Sequence, residues 1–134
     1  MTQPQPLRIL LVEDDGGIAH VIRLGLSDLG FPFDLDHAVT AEEGVDFWQH
    51  HVYDLVLTDY NLRGKNGLDM ISQLKLQDST VPMVLVTAYD TPALRKQARN
   101  AGVERFVAKP FFIDEFTAMV RLLLPTRVSQ LGAS

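Results

Sequence analysis

Leu55-Val56-Leu57-Thr58-Asp59 is the stretch on which the fold turns. Residues that suit a buried strand end in a single carboxylate. The run that follows, Tyr60-Asn61-Leu62-Arg63-Gly64-Lys65-Asn66-Gly67, is polar, contains glycine and reads as a loop. An acid at the carboxyl end of a buried strand stands where open parallel α/β sheets bind their ligands. Asp59 is therefore the candidate centre of function, provided that the ends of other strands supply it with partners.

Outward from that strand, which the apolar run places over Asp54–Thr58, the chain repeats one pattern. Toward the N-terminus, Leu7–Val12 is apolar except for Arg8, too short for a helix and suited to a buried strand; it runs into Glu13-Asp14-Asp15 and then Gly16-Gly17. Ile18, Val21, Ile22, Gly25, Leu26 and Leu29 recur at helical spacing, and Gly30 supplies a stop. Phe33–Val39 is a weaker strand. Thr40 caps a helix with Ala41, Gly44, Val45 and Trp48 inward and Glu43 at the capping-box position. Toward the C-terminus, a helix over Gly67–Gln77 faces inward through Leu68, Ile71 and Leu74. Pro82 opens a strand over Met83–Val86 that ends at Thr87-Ala88. Thr91-Pro92 starts a helix whose apolar face is little more than Leu94, Ala98 and Ala101, so it is expected to be loosely held until Gly102 ends it. Arg105–Ala108 is a further strand, followed by Lys109-Pro110. Phe116, Met119, Val120, Leu123 and Leu124 mark the last helix, which Pro125 stops. The expected domain is 1–125, with 1–6 a lead-in and 126–134 a tail or linker stub.

This is β-α repeated five times. Regular alternation argues for an α/β fold with a doubly wound parallel sheet between two helical layers. In such a sheet all strand ends lie on one edge. Glu13 and Asp14, Asp59, Thr87 and Lys109 would then share a crevice. Clustered carboxylates repel and each favours a proton or a cation. A few hard oxygen donors suit Mg²⁺, which keeps several waters and binds through carboxylates and phosphate. A lysine and a hydroxyl complete a phosphoryl-binding set. The crevice lacks an obvious base, but a carboxylate nucleophile needs none and forms an aspartyl phosphate directly.

The bounds agree. A length of 134 residues, 46% hydrophobic and 22% charged, describes one ordinary globular domain. A net charge of −5 argues against direct nucleic-acid binding by this chain. The absence of cysteine excludes disulfides and thiolate metal sites. No apolar run matches a membrane span, and the N-terminus lacks the order of a signal peptide, so a cytoplasmic location is the default expectation. His20, His37, His50 and His51 show no metal-binding spacing and are read as surface or structural.

Ile9-Leu10-Leu11-Val12-Glu13-Asp14-Asp15, Asp54 to Asp59 with Gly64 and Gly67 after it, Val84-Leu85-Val86-Thr87-Ala88 and Lys109-Pro110-Phe111 together resemble the receiver domain of two-component response regulators, of the CheY-like kind. The resemblance covers roughly Leu7 to Leu124. It implies a flavodoxin-like (βα)5 fold with strand order 2-1-3-4-5. It implies that Asp59 is phosphorylated by a sensor histidine kinase or phosphotransfer protein. Mg²⁺ (or Mn²⁺) would be held by Glu13, Asp14, Asp59 and the backbone carbonyl of Asn61. Lys109 would pair with the phosphoryl group, and its bond to Pro110 would be cis. Thr87 and Phe106 would act as the switch on a surface of the fourth helix, fifth strand and fifth helix, with Asn61 and Tyr89 modulating the phosphoryl lifetime. The protein would assist its own phosphorylation and dephosphorylation and would not be a turnover enzyme. Four positions depart from the family pattern: Phe106 where tyrosine is frequent, Arg63 where proline is common, and Arg105 and Met119 where a dimerising subfamily has an acid and an arginine. A phosphorylation-dependent dimer stays open, with this last departure counting against it; the downstream partner is unknown.

Each residue also has a plainer explanation. Glu13, Asp14 and Asp15 suit the start of a helix, Asp59 suits a turn, and Thr87, Lys109 and Phe106 are unremarkable singly. The plain readings do not explain why four strand ends carry one complementary set. A haloacid-dehalogenase-type phosphatase would need D-x-D on the first strand, and a P-loop nucleotidase would need G-x-x-x-x-G-K-[ST]; neither is present. The remaining alternative is a phosphorylation-independent docking module on the same fold.

Overall fold

The computed structural model describes residues 6–124. Strands β1 (Leu7–Val12), β2 (Phe33–Ala38), β3 (Leu55–Asp59), β4 (Met83–Thr87) and β5 (Arg105–Ala108) alternate with helices α1 (Gly16–Leu26), α2 (Ala41–His50), α3 (Gly67–Gln77), α4 (Pro92–Asn100) and α5 (Ile113–Leu123). The sheet is parallel throughout and ordered β2-β1-β3-β4-β5. Every residue of β3 and β4 is buried, the mark of central strands covered on both faces. The edge strands β2 and β5 are mostly half-buried.

Period-two alternation divides the core. Leu7, Ile9, Leu11, Leu55, Leu57, Val84 and Val86 point to one face and pack with α1 and α5 through Ile22, Leu26, Phe116 and Val120. Leu10, Val12, Val56, Met83 and Leu85 point to the other, against Ala41 of α2, Leu68, Met70, Ile71 and Leu74 of α3, and Leu94 and Ala98 of α4. A one-residue register slip would exchange the two sets. Where α1 crosses α5, a Cβ at Gly25 would collide with the Ile113 side chain, so the absence of a side chain is what lets these helices meet. Thr117 Oγ1 then donates to the Gly25 carbonyl at 2.8 Å.

Most element boundaries match the sequence expectations, with informative differences. The central strand runs Leu55–Asp59, not Asp54–Thr58. Asp54 instead accepts from the Arg8 N–H at 2.9 Å while its own N–H donates to the Arg8 carbonyl, so it precedes the strand and Asp59 becomes its last residue. The second strand stops at Ala38, before Val39, and the fourth extends through Thr87. On α1, Val21 is 45% exposed and Ala19 takes the inward place; a 3-10 turn over Ser27–Leu29 then carries Leu29 into the core before Gly30. α4 is fixed to the sheet by Leu94 and Ala98 alone among its buried residues. Residues 1–5, Pro125 and the tail 126–134 lie outside the described residues. Among the described residues no helix is long and apolar enough to cross a membrane.

Candidate functional site

Parallel pairing aligns the strand ends. Val12 sits beside Thr58, Asp59 beside Val86 and Thr87 beside Ala108. The residues at or just past these positions therefore meet at the carboxyl edge of the sheet. One ligand oxygen each from Glu13, Asp14 and Asp59 lies within 4.8 Å of the others. Among the described residues this is the one such cluster of three or more acidic or histidine side chains. Lys109 Nζ stands between two of them, 3.1 Å from Asp59 Oδ2 and 3.4 Å from Glu13 Oε1. Asp59 and Glu13 are buried while Asp14 is exposed, so the site is closed below and open to solvent at Asp14.

Burial and the facing charge act strongly on Glu13. Removal from water pushes its carboxyl up to about 7, the charge of Asp59 adds to this, and Lys109 offsets part of it. A cation would relieve the same repulsion. The donor set, three carboxylates with no sulfur or imidazole among them, fits a hard divalent ion such as Mg²⁺.

Local structure explains the placement. Asp15, not Glu13 or Asp14, caps α1: its Oδ1 accepts from Gly17 N at 2.8 Å and Ile18 N at 3.1 Å. The other two acids are thereby left for the crevice, against the plain reading that all three serve the helix. Gly67 opens α3 directly beneath Asp59. Its N–H donates to the Tyr60 carbonyl at 2.9 Å, and a Cβ there would overlap the Asp59 carbonyl oxygen. A glycine is required for the helix to start this close to the strand end. The Lys109–Pro110 bond is cis, as the resemblance implies.

The remaining expected residues surround the cluster. The Asn61 N–H donates to Asp59 Oδ1 at 3.3 Å. Thr87 is fully buried, and its Oγ1 accepts from the Tyr89 N–H at 2.9 Å; no hydrogen bond joins it to Asp59 among the described residues. Tyr89 is exposed. Phe106 is half-buried with the Arg95 guanidinium over its ring, 4.4 Å from Cζ to centroid. Two contributors were missed in the sequence. His37 Nε2 donates to the Glu13 carbonyl at 2.7 Å, fixing the backbone that carries the buried acid. Arg95 reaches Phe106 from another element. Neither has a local signature, since β2 and α4 approach these positions only in the folded sheet.

The parallel sheet with order 2-1-3-4-5 and an acidic crevice at its carboxyl edge define a flavodoxin-like α/β fold. The response regulator receiver domain family matches residues 9–121, and the chain belongs to that family: it is a receiver domain of two-component systems. The chain is 37% identical over 116 residues to the transcriptional regulatory protein YkoG of Bacillus subtilis, covering 87% of this chain and 50% of that protein. It is 34% identical over 122 residues to response regulator Rre1 of Synechocystis, covering 90% of this chain and 52% of that protein. The chain thus spans about half the length of these relatives. Among solved structures, the CheY-like receiver domain protein of Methanospirillum hungatei superposes with a TM-score of 0.84 at 22% identity, over 94% of this chain and 99% of that one; this likeness bears on the fold.

Proposed function

We propose that this receiver domain takes a phosphoryl group onto Asp59 from a phosphorylated histidine of a sensor kinase or phosphotransfer protein. The observation that carries the reading is the cluster itself: three carboxylates within 4.8 Å, with an ammonium 3.1 Å from the proposed nucleophile. An Asp59 oxygen attacks phosphorus, the O–P bond forms as the N–P bond of phosphohistidine breaks, and the freed imidazole nitrogen takes a proton from water. The carboxylate is already an anion and needs no general base. Glu13, Asp14 and Asp59, with the Asn61 carbonyl, would hold Mg²⁺ (Mn²⁺ suits the same donors), which supplies neutralisation of the charge gathered on the phosphoryl oxygens. Lys109 keeps its place against Asp59 and meets those oxygens as a compact positive charge. His37 and Gly67 hold the backbone of Glu13 and Asp59 in position.

The output is a change of surface. Phosphorylation adds charge and acceptor oxygens; the Thr87 hydroxyl leaves the Tyr89 N–H to donate to one of them, Phe106 turns inward, and the α4-β5-α5 face shifts between two states. Asn61 and Tyr89 flank the crevice, where they would tune access of the hydrolytic water. The domain acts on its own aspartate, without turnover on an external substrate. The test is the intact mass after incubation with Mg²⁺ and acetyl phosphate. One phosphoryl adduct is expected on the wild type, absent from Asp59→Ala and lost on chelation. A folded wild type that never gains the adduct would replace this reading with the phosphorylation-independent docking module.

A further inference from the structure

The outer side of α4 carries a contact that phosphoryl transfer itself does not use. Arg95 grips Asp90 as a fork, Nε to Oδ1 at 2.6 Å and Nη2 to Oδ2 at 3.1 Å, and the same guanidinium lies over the Phe106 ring at 4.4 Å. The contact joins the loop after β4, helix α4 and edge strand β5. The ring is half-buried against the core on the α4 face of the sheet, and a hollow of about 310 Å³ lined by Pro92, Arg95, Ala98, Arg99 and Phe106 lies beside it, so packing alone does not fix its position. A tyrosine could anchor itself by its hydroxyl. Phenylalanine offers only its face and edge, and a cation over the face is the one polar attraction open to it. The planar guanidinium can meet a carboxylate along its edge and a ring across its plane at once, which an ammonium cannot do.

The loop is tied at both ends. Thr87 Oγ1 holds the Tyr89 N–H at 2.9 Å, and Thr91 Oγ1 caps α4 by accepting from Leu94 N at 3.1 Å. Asp90 lies between the two ties. Movement of Thr87 toward Asp59 releases the first tie and displaces Asp90, which disturbs the fork and uncovers the ring. We infer that Asp90 and Arg95 form a latch that holds the Phe106 ring under the guanidinium and the loop in its resting position, so that this pair sets how readily the phosphorylated state is reached. The inference rests on the reading of Asp59 as phosphoacceptor with Thr87 and Phe106 as its relay. Arg95 is a positioning residue, acting on the phosphoryl site only through Phe106 and the loop.

The experiment is calorimetric titration with beryllium fluoride, a phosphoryl mimic, in Mg²⁺, on wild type, Arg95→Ala, Arg95→Met and Asp90→Asn. A latch lowers the population of the binding-competent state, so its removal tightens apparent binding in proportion. Arg95→Ala and Arg95→Met are expected to tighten it by about threefold to tenfold, with Asp90→Asn in the same direction. On a Phe106→Leu background, Arg95→Ala should add nothing, because the ring it acts through is gone. The Phe106 ring resonances of the unliganded protein should move in Arg95→Met. Unchanged or weaker binding in both Arg95 variants, a gain that persists without the ring, or ring resonances that stay in place would each overturn the latch while leaving the phosphoacceptor standing. A wild type that binds no beryllium fluoride would overturn the phosphoacceptor reading and the latch with it.

Discussion

A carboxyl that is 1% exposed and faces a second carboxylate is poorly placed to be charged. Burial, then Asp59, raise the Glu13 pKa to about 7 from an ordinary value of 4.5. The folded domain therefore holds this proton more tightly than the unfolded chain does. By linkage, stability is highest below the ordinary value, falls as pH rises between the two values, and stays low above the folded one. Converted at about 1.4 kcal/mol per unit, the penalty above neutrality is at most about 4 kcal/mol. Glu13→Gln removes the charge and keeps much of the shape. In metal-free buffer the variant should be more stable than wild type at about pH 8, with the difference closing toward about pH 4; urea midpoints at the two pH values measure it. The same substitution should abolish the phosphoryl adduct, because a neutral amide no longer balances a divalent ion. A stability gain independent of pH would mean that Glu13 is not the group under strain. The site is thus held ready at some cost in stability, the usual pattern where function departs from best packing.

At the scale of elements, what holds the helices in place is uneven. The last turn of α3 carries Lys75, whose Nζ donates to the Val81 carbonyl at 2.9 Å, the Ser79 carbonyl at 3.1 Å and the Glu104 carboxylate. One ammonium thus ties α3 to the lead into β4 and to the turn before β5. Lys75→Met keeps the stem and strips donors from these carbonyls, so it should destabilise the domain by about 2 kcal/mol, read as a lower urea midpoint with an unchanged slope. α4, by contrast, rests on Leu94 and Ala98. Amide exchange should be fastest along α4 among the helices and slowest in β3 and β4; equal protection of α4 and α3 would contradict that ranking and weaken the case for a mobile output face. The thin apolar stripe of α4 was legible in the sequence, as were the βα alternation, the buried strands and the clustering of strand-end acids, since these follow from local period and from the parallel sheet. The strand order came from the family resemblance, because periodicity says which residues are buried and not which strands are neighbours. Lys75 with Glu104, His37 with the Glu13 carbonyl, and Arg95 with Phe106 were not legible. In each pair the partners come from different elements, and a long polar side chain carries no sign of where its end will rest. The exposure of Val21 and the shift of β3 by one residue fell within the ambiguity of apolar runs, where neighbours differ little in hydropathy.

For the molecule as a whole, charge is divided against the net. The chain carries −5, yet the segment from Pro92 to Arg105 presents Lys96, Arg99 and Arg105 as exposed side chains, with Arg95 engaged by Asp90, while its one acid, Glu104, is engaged by Lys75. A twofold dimer built on this face would be isologous, setting the patch against its own copy, and the cations would meet cations. Arg105 and Met119 also stand where the resemblance would place the acid and the arginine of a charged pair, so the attraction that could offset this repulsion is missing. The expected state is a monomer both without ligand and with Mg²⁺ and beryllium fluoride, measured by sedimentation velocity. Salt discriminates the cause. At about 0.5 M salt the screening length falls below about 5 Å, so if repulsion is what keeps copies apart, any residual self-association should strengthen with salt. A dimer held by charged pairs would weaken instead. Beryllium-fluoride-dependent dimerisation at low salt that fades as salt rises would show that acids elsewhere on this face complete the pairs, and would return the dimer to the mechanism of output.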